Sequence, residues 1–148
     1  MPDRPIAAQP GLRGFQAAEV PRGPSHYHVL FVEDDIDSRE MMAQLLTLEG
    51  FQCATVANGK EALDWLRRGT VPDVIVLNLL MPVMDGWEFR RCQKADPTLS
   101  RIPVIVLSAA IGRVTRGIEA DAILSKPTDF DKLLDLVRRA VERRSLRP

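Results

Sequence analysis

The chain has 148 residues, 45% hydrophobic content and a formal net charge of zero. That suits one domain with a true core and gives a nucleic-acid or membrane-surface role no global electrostatic support. No apolar run approaches the roughly 20 residues of a membrane span, and the N-terminus lacks the basic-then-apolar layout of a secretion signal. Cys53 and Cys92 are far apart and in no metal-ligand spacing, so two reduced, partly buried thiols in a cytoplasmic protein are expected.

Residues 1–26 read as a flexible extension. Pro2, Pro5, Pro10, Pro21 and Pro24 alternate with Gly11, Gly14 and Gly23, and no periodicity survives. A single domain is expected over 27–144, with a short tail at 145–148. Its first strand is 28–32. Asp37 with Glu40 makes a capping-box-like helix start, Met41, Met42, Leu45, Leu46 and Leu48 give a helical stripe, and Gly50 ends it. A second strand follows at 51–56. A short amphipathic helix at 60–68 rests on Ala62, Leu63 and Leu66, closed by Gly69. Strands at 73–77 and 102–107 flank a helix at 86–94. Residues 113–119 predict at best a short helix, because Gly112 and Gly117 weaken it. A fifth strand at 122–124 precedes a final helix at 130–144, with Leu133, Leu134, Val137 and Val141 as its apolar face.

Near-continuous apolar strands separated by helices predict an α/β fold, a doubly wound five-stranded parallel sheet covered on both faces. Ligands in such folds sit at the carboxyl ends of the strands. Four strand ends carry reactive side chains: Glu33-Asp34, Asn78, Ser108 and Lys126. Adjacent acids are costly to gather unless something positive binds them, and Mg²⁺ is a hard cation that takes carboxylate oxygens. Taken singly, each has a plainer reading. Asp34 and Asp35 could cap the next helix, Ser108 could be an N-cap, and Lys126 could be a solvated loop lysine. Their joint placement favours a metal pocket with a hydroxyl and an ammonium. A carboxylate at position 78 would complete a phosphoryl-accepting site; Asn78 leaves it without a nucleophile.

Other features weigh less. His26 and His28 flank Tyr27 with no further ligand nearby. Asn58-Gly59-Lys60 lacks the rest of a P-loop and reads as a turn before a helix. The run Arg138-Arg139 and Arg143-Arg144 reads as a solvated helix end, with nucleic-acid contact a minor alternative. A flavodoxin-like cofactor enzyme lacks support, since no phosphate-cradling loop follows the first strand.

Residues 28–143 resemble the receiver domain of two-component response regulators, of the stand-alone chemotaxis-regulator kind. The matching stretches are Val29-Leu30-Phe31-Val32-Glu33-Asp34-Asp35, 73–82 with Met84-Asp85-Gly86, 103–109, and Leu124-Ser125-Lys126-Pro127. The resemblance implies a flavodoxin-like receiver fold, here with a shortened fourth helix. It implies Mg²⁺ held by Glu33, Asp34, the backbone carbonyl of Leu80 and the residue at 78. Asn78 stands at the phosphoacceptor position and is expected to weaken the metal. Ser108 would be the switch hydroxyl, and Lys126 would bind a phosphoryl oxygen, with a cis peptide before Pro127. Ile123 takes the place of the usual switch aromatic. Leu80 occupies a position where polar side chains help place a hydrolytic water, so a phosphoryl group would leave slowly.

The implied function is a single-domain receiver in a phosphorelay, not itself an enzyme, unable to accept a phosphoryl group because Asn replaces Asp. Asn78 is either an engineered change or the natural residue of a pseudo-receiver. The alternative is a phosphorylation-independent interaction module. Expected partners are a histidine kinase or phosphotransfer protein and a downstream protein, with a homodimer allowed and no membrane contact.

Overall fold

The computed structural model describes residues 27–109, 112, 115 and 117–145. The expected extension at 1–26 and residues 146–148 of the tail lie outside them. In chain order the elements are β1 (His28–Val32), α1 (Ile36–Leu48), β2 (Gln52–Val56), α2 (Gly59–Arg67), β3 (Val74–Asn78) and α3 (Gly86–Ala95). A 3-10 turn (Leu99–Arg101), β4 (Val104–Ser108), β5 (Ala122–Ser125) and α4 (Phe130–Ser145) follow. The strands form one parallel sheet in the order β2-β1-β3-β4-β5.

Alternate residues of each strand point to opposite faces, and the two faces are filled by different helices. Leu30, Val32, Ile75, Leu77, Val104 and Val106 pack with Leu63 and Leu66 of α2 and Phe89 of α3. Val29, Phe31, Val74, Val76, Ile105 and Leu107 pack with Leu46 of α1 and Leu133 and Val137 of α4. All five residues of β3 and of β4 are buried, which is why those strands read as unbroken apolar runs. No helix among the described residues is long and apolar enough to cross a membrane.

Local signals set the helix starts. Asp35, Asn58 and Asp85 each accept the backbone N–H three residues on, at 2.9 Å, satisfying a donor that a helix start leaves orphaned. The first helix therefore starts at Ile36 under Asp35, two residues earlier than a box at Asp37 and Glu40 would place it. The stripe expected on α1 is also narrower: Leu46 is buried, whereas Met41 is 61% and Leu48 82% exposed. Gly50, at φ +97°, ends that helix as expected.

The short helix expected at 113–119 is not seen where that stretch is described. Thr115 and Ile118 make 3-10-like turns, their N–H groups bonding to Gly112 O at 3.1 Å and Thr115 O at 3.2 Å. Gly112 and Gly117 lie at φ +93° and +85°, which no α-helix accommodates. Residues 110, 111, 113, 114 and 116 lie outside the described residues.

Candidate functional site

Because β1 lies between β2 and β3, the chain leaves β1 in one direction and returns past it, opening a crevice at the carboxyl ends of β1 and β3. Glu33 and Asp34 follow β1, Asn78 closes β3, Ser108 closes β4 and Lys126 follows β5. These five side chains, with Leu80 and Ala109, line one cavity of about 220 Å³. All the strand-end residues singled out in the sequence thus meet at one place.

Glu33 is only 3% exposed, and a buried charge must be paired and hydrogen-bonded. Its Oε1 accepts from Lys126 Nζ at 3.1 Å. Its Oε2 accepts from Asn78 Nδ2 at 3.2 Å and from the backbone N–H of Asp35 at 3.1 Å. Asn78, 5% exposed, also donates from Nδ2 to Asp34 Oδ1 at 3.1 Å and to Leu80 O at 3.0 Å. All three neighbours are acceptors, so the amide must turn its nitrogen toward them. The –NH₂ of Asn78 thus sits among the oxygens of Glu33, Asp34 and Leu80.

The adjacent acids divide. Asp34 faces the amide, whereas Asp35 turns away and caps α1. The hydrogen bond from the Ser38 backbone N–H holds the Asp35 carboxyl below its ordinary value, with smaller help from the Ser38 side chain. The capping reading is therefore right for Asp35 and wrong for Asp34. Ser108 is buried, and its carbonyl accepts the Lys126 N–H at 2.8 Å, which sets the β5 end beside β4. The Lys126-Pro127 peptide is cis. Ile123 points outward from β5, 38% exposed, and Leu80 is 57% exposed beside the cavity.

Two contributors were given no role in the sequence reading. Arg39 Nη1 donates to the carbonyls of Glu33 at 2.9 Å and Asp34 at 3.3 Å, clamping the loop after β1; an arginine on an exposed helix face has no periodic signature. The second is the loop after β3. Val83 sits at φ +71°, in a tight turn where Met84 N–H bonds to Pro82 O at 2.8 Å. Gly86 closes that loop, its N–H on Leu79 O at 2.8 Å. A Cβ at Gly86 would stand 2.9 Å from Leu79 Cα and 3.1 Å from Asn78 O, so glycine permits this close approach.

Two carboxylates, a carbonyl and an amide form a donor set suited to a hard divalent cation. No third His, Cys, Asp or Glu joins Glu33 and Asp34 among the described residues. Residues 29–138 match the family model described as response regulator receiver domain. The chain belongs to the response regulator receiver family.

Among curated response regulators, the chain is 38% identical over 114 residues to PleD of Caulobacter vibrioides, covering 74% of this chain and 25% of PleD. It is 32% identical over 121 residues to MprA of Mycobacterium sp. (strain KMS), covering 79% of this chain and 51% of MprA. The chain therefore spans a quarter to a half of these relatives. Among solved structures, a receiver domain of a signal transduction histidine kinase from Syntrophus aciditrophicus matches with TM-score 0.76 and 34% identity, covering 82% of this chain and 95% of that one. The receiver domain of sensor histidine kinase PA1611 from Pseudomonas aeruginosa PAO1 matches with TM-score 0.73 and 25% identity, covering 78% and 98%. That structure has a magnesium ion coordinated in its active site cleft.

Proposed function

We propose that this receiver domain takes part in a phosphorelay through protein partners without accepting a phosphoryl group at position 78. The observation that carries the reading is the amide of Asn78 at the carboxyl end of β3, donating to Glu33, Asp34 and Leu80 at 3.0–3.2 Å; the resemblance implies an acceptor carboxylate at that position. An amide is a poor nucleophile and cannot form an acyl phosphate. Its nitrogen also serves the pocket's acceptors from within, as a bound cation would.

Glu33, Asp34 and the Leu80 carbonyl would hold Mg²⁺, with Asn78 contributing its Oδ1 after its amide turns over. When bound, the cation would neutralise charge developing on a transferring phosphoryl group. Turning Asn78 over breaks its three contacts, and the amide brings no negative charge, so both effects weaken the metal. Lys126, now paired with Glu33, would have to leave it to reach a phosphoryl oxygen, and Ser108 stands ready at the end of β4. The domain itself is not an enzyme in this reading; a histidine kinase or phosphotransfer protein presents the phosphoryl group, in the cytoplasm.

The test is Asn78→Asp with Mg²⁺ and a small-molecule phosphodonor, read by intact mass. A gain of one phosphoryl group in that variant, absent in the Asn78 protein, supports a furnished receiver stopped at one side chain. That adduct is expected to decay over minutes or longer, because Leu80 offers no polar group to place a water. No gain in either protein supports the second reading, a phosphorylation-independent interaction module. The remodelled stretch between β4 and β5, with its two left-handed glycines, favours that second reading.

A further inference from the structure

We infer that a cleft at the opposite end of the sheet is a second binding site, for a small anion carrying phosphoryl groups. The cleft, about 130 Å³, is lined by Arg90 of α3, Ser100 and Arg101 of the 3-10 turn, Asp121 before β5, and Arg143 and Arg144 of α4. It opens at the amino ends of β4 and β5. The phosphoacceptor position lies a five-residue strand away, roughly 17 Å at about 3.4 Å per residue.

A solvated helix end accounts for Arg143 and Arg144, since cations suit a helix C-terminus. It does not account for Arg90 and Arg101, which reach the same cleft from two other elements. Two carboxylates face these four guanidinium groups: Asp121 in the cleft, and Asp73, 3.6 Å from Arg144 Nε. The surplus is two positive charges. Arg101 and Arg143 make no side-chain ion pair or hydrogen bond among the described residues. The other two arginines of α4 are engaged elsewhere, Arg138 with Glu49 at 3.1 Å and Arg139 with Asp135 at 3.0 Å.

The cleft is also built in advance. Gln93, fully buried, donates from Nε2 to the carbonyls of Leu99 at 2.9 Å and Ile102 at 3.1 Å. Its Oε1 accepts from Arg90 Nη1 at 2.7 Å, and Arg90 Nε donates to Glu119 O at 2.8 Å. These bonds hold the Arg90 guanidinium against the 99–102 turn and leave Nη2 without a protein partner among the described residues. Burial also lowers the proton affinity of Arg90, partly offset by Asp121, so its charge is under-solvated and an added anion would help it. Planar guanidinium forks match phosphate oxygens in paired hydrogen bonds. The volume holds a phosphoryl group and leaves the rest of the ligand in solvent. Two surplus charges fit a diphosphate better than a monophosphate.

Titration of the full chain with inorganic pyrophosphate, followed by amide NMR, tests this. Saturable shifts are expected at Ser100, Arg101 and Asp121, with little change at Glu33, Asn78 and Lys126, and inorganic phosphate should bind at least threefold more weakly. Arg101→Ala with Arg143→Ala should cost tenfold or more in affinity. Neither side chain makes an ion pair or hydrogen bond among the described residues, so the unfolding midpoint should stay within a few degrees. Arg143→Glu alone is a second variant and should also weaken binding tenfold. Shifts confined to the Lys126 end, unchanged affinity in the variants, or no saturation at tens of millimolar would overturn the site. A phosphoserine peptide binding tenfold tighter than pyrophosphate would overturn the small-molecule source.

Discussion

Lys126 and Glu33, 93 positions apart in the chain, meet through Nζ and Oε1 at 3.1 Å. The contact joins the end of β5 to the end of β1 across the two strands between them. Glu33 is almost wholly buried, while Lys126 keeps 29% of its side chain exposed. Their pairing is therefore asymmetric: Glu33 needs Lys126 more than Lys126 needs Glu33.

Removing the ammonium should accordingly cost more than a surface ion pair does. Lys126→Met leaves one oxygen of a buried carboxylate without its charged partner. Asn78 and the Asp35 N–H still serve the other oxygen, so the expected loss is about 2 kcal/mol, not the full cost of an orphaned charge. Urea unfolding would measure it; a loss under 0.5 kcal/mol would show that the pair is merely superficial.

Asn78→Asp should reverse the balance of the cavity. Three donor contacts disappear and a third carboxylate joins Glu33 and Asp34, so like charges crowd one pocket. In chelator the variant should melt several degrees below the Asn78 protein. Mg²⁺ should restore that loss and bind at least tenfold more tightly than to Asn78, since attraction to a cation scales with the charge facing it. Equal Mg²⁺ affinity in calorimetric titrations, or a higher melting point for the variant in chelator, would refute the reading of Asn78 as an internal substitute for the cation.

The loop after β3 stores strain at Val83. A β-branched residue at positive φ is disfavoured, and Val83 is 75% exposed, so little packing compensates. Val83→Asn should stabilise the domain by about 0.5–1 kcal/mol, because asparagine tolerates this conformation with a similar loss of chain freedom. Gly86→Ala in the same loop should do the opposite and disturb the backbone at Leu79. Thermal unfolding of both variants checks the pair; a loss of stability in Val83→Asn would mean that the valine makes a contact worth more than the strain.

Cys53 gives the domain a pH-dependent edge. Burial pushes its thiol up to about 12 from an ordinary 9.0. The native thiol therefore stays protonated where the unfolded one ionises. Its contribution to stability is complete below pH 9 and is lost as the pH rises from there toward 12. At pH 10 the loss should reach about 1 kcal/mol, and Cys53→Ala should show a flatter decline between pH 8 and 10 than the parent chain. Native Cys53 should also resist alkylation at pH 8, where only about one thiol in ten thousand is ionised. Identical pH slopes for the two proteins would dispose of this prediction.

Much of the site was legible because its members stand at the ends of apolar runs, and the rule that ligands gather at strand carboxyl ends needs no distances. The same logic located the sheet, since β1, β3 and β4 are buried on both faces and therefore unbroken in hydrophobicity. Patterns failed where a helix is only partly covered. Met41 and Leu48 fit the stripe of α1 yet face solvent, because periodicity reports which residues could share a face, not how wide a face the core covers. The stretch between β4 and β5 was legible as irregular from Gly112 and Gly117, whose φ values confirm the reason.

By itself, then, the sequence determined that an acid pair, an amide, a hydroxyl and an ammonium each stand at the end of an apolar run. It did so through residue order and side-chain type, since each of these residues closes or follows a run of apolar side chains. Only the tertiary structure decided what that amide does. Three acceptors from two loops converge on it and turn its nitrogen inward, and hydrogen-bond orientation depends on neighbours that no local pattern encodes. The arginine cleft has the same origin. Arg90, Arg101 and Arg143 look like scattered surface charges along the chain, and only packing α3 and α4 against the start of β4 brings them to one place.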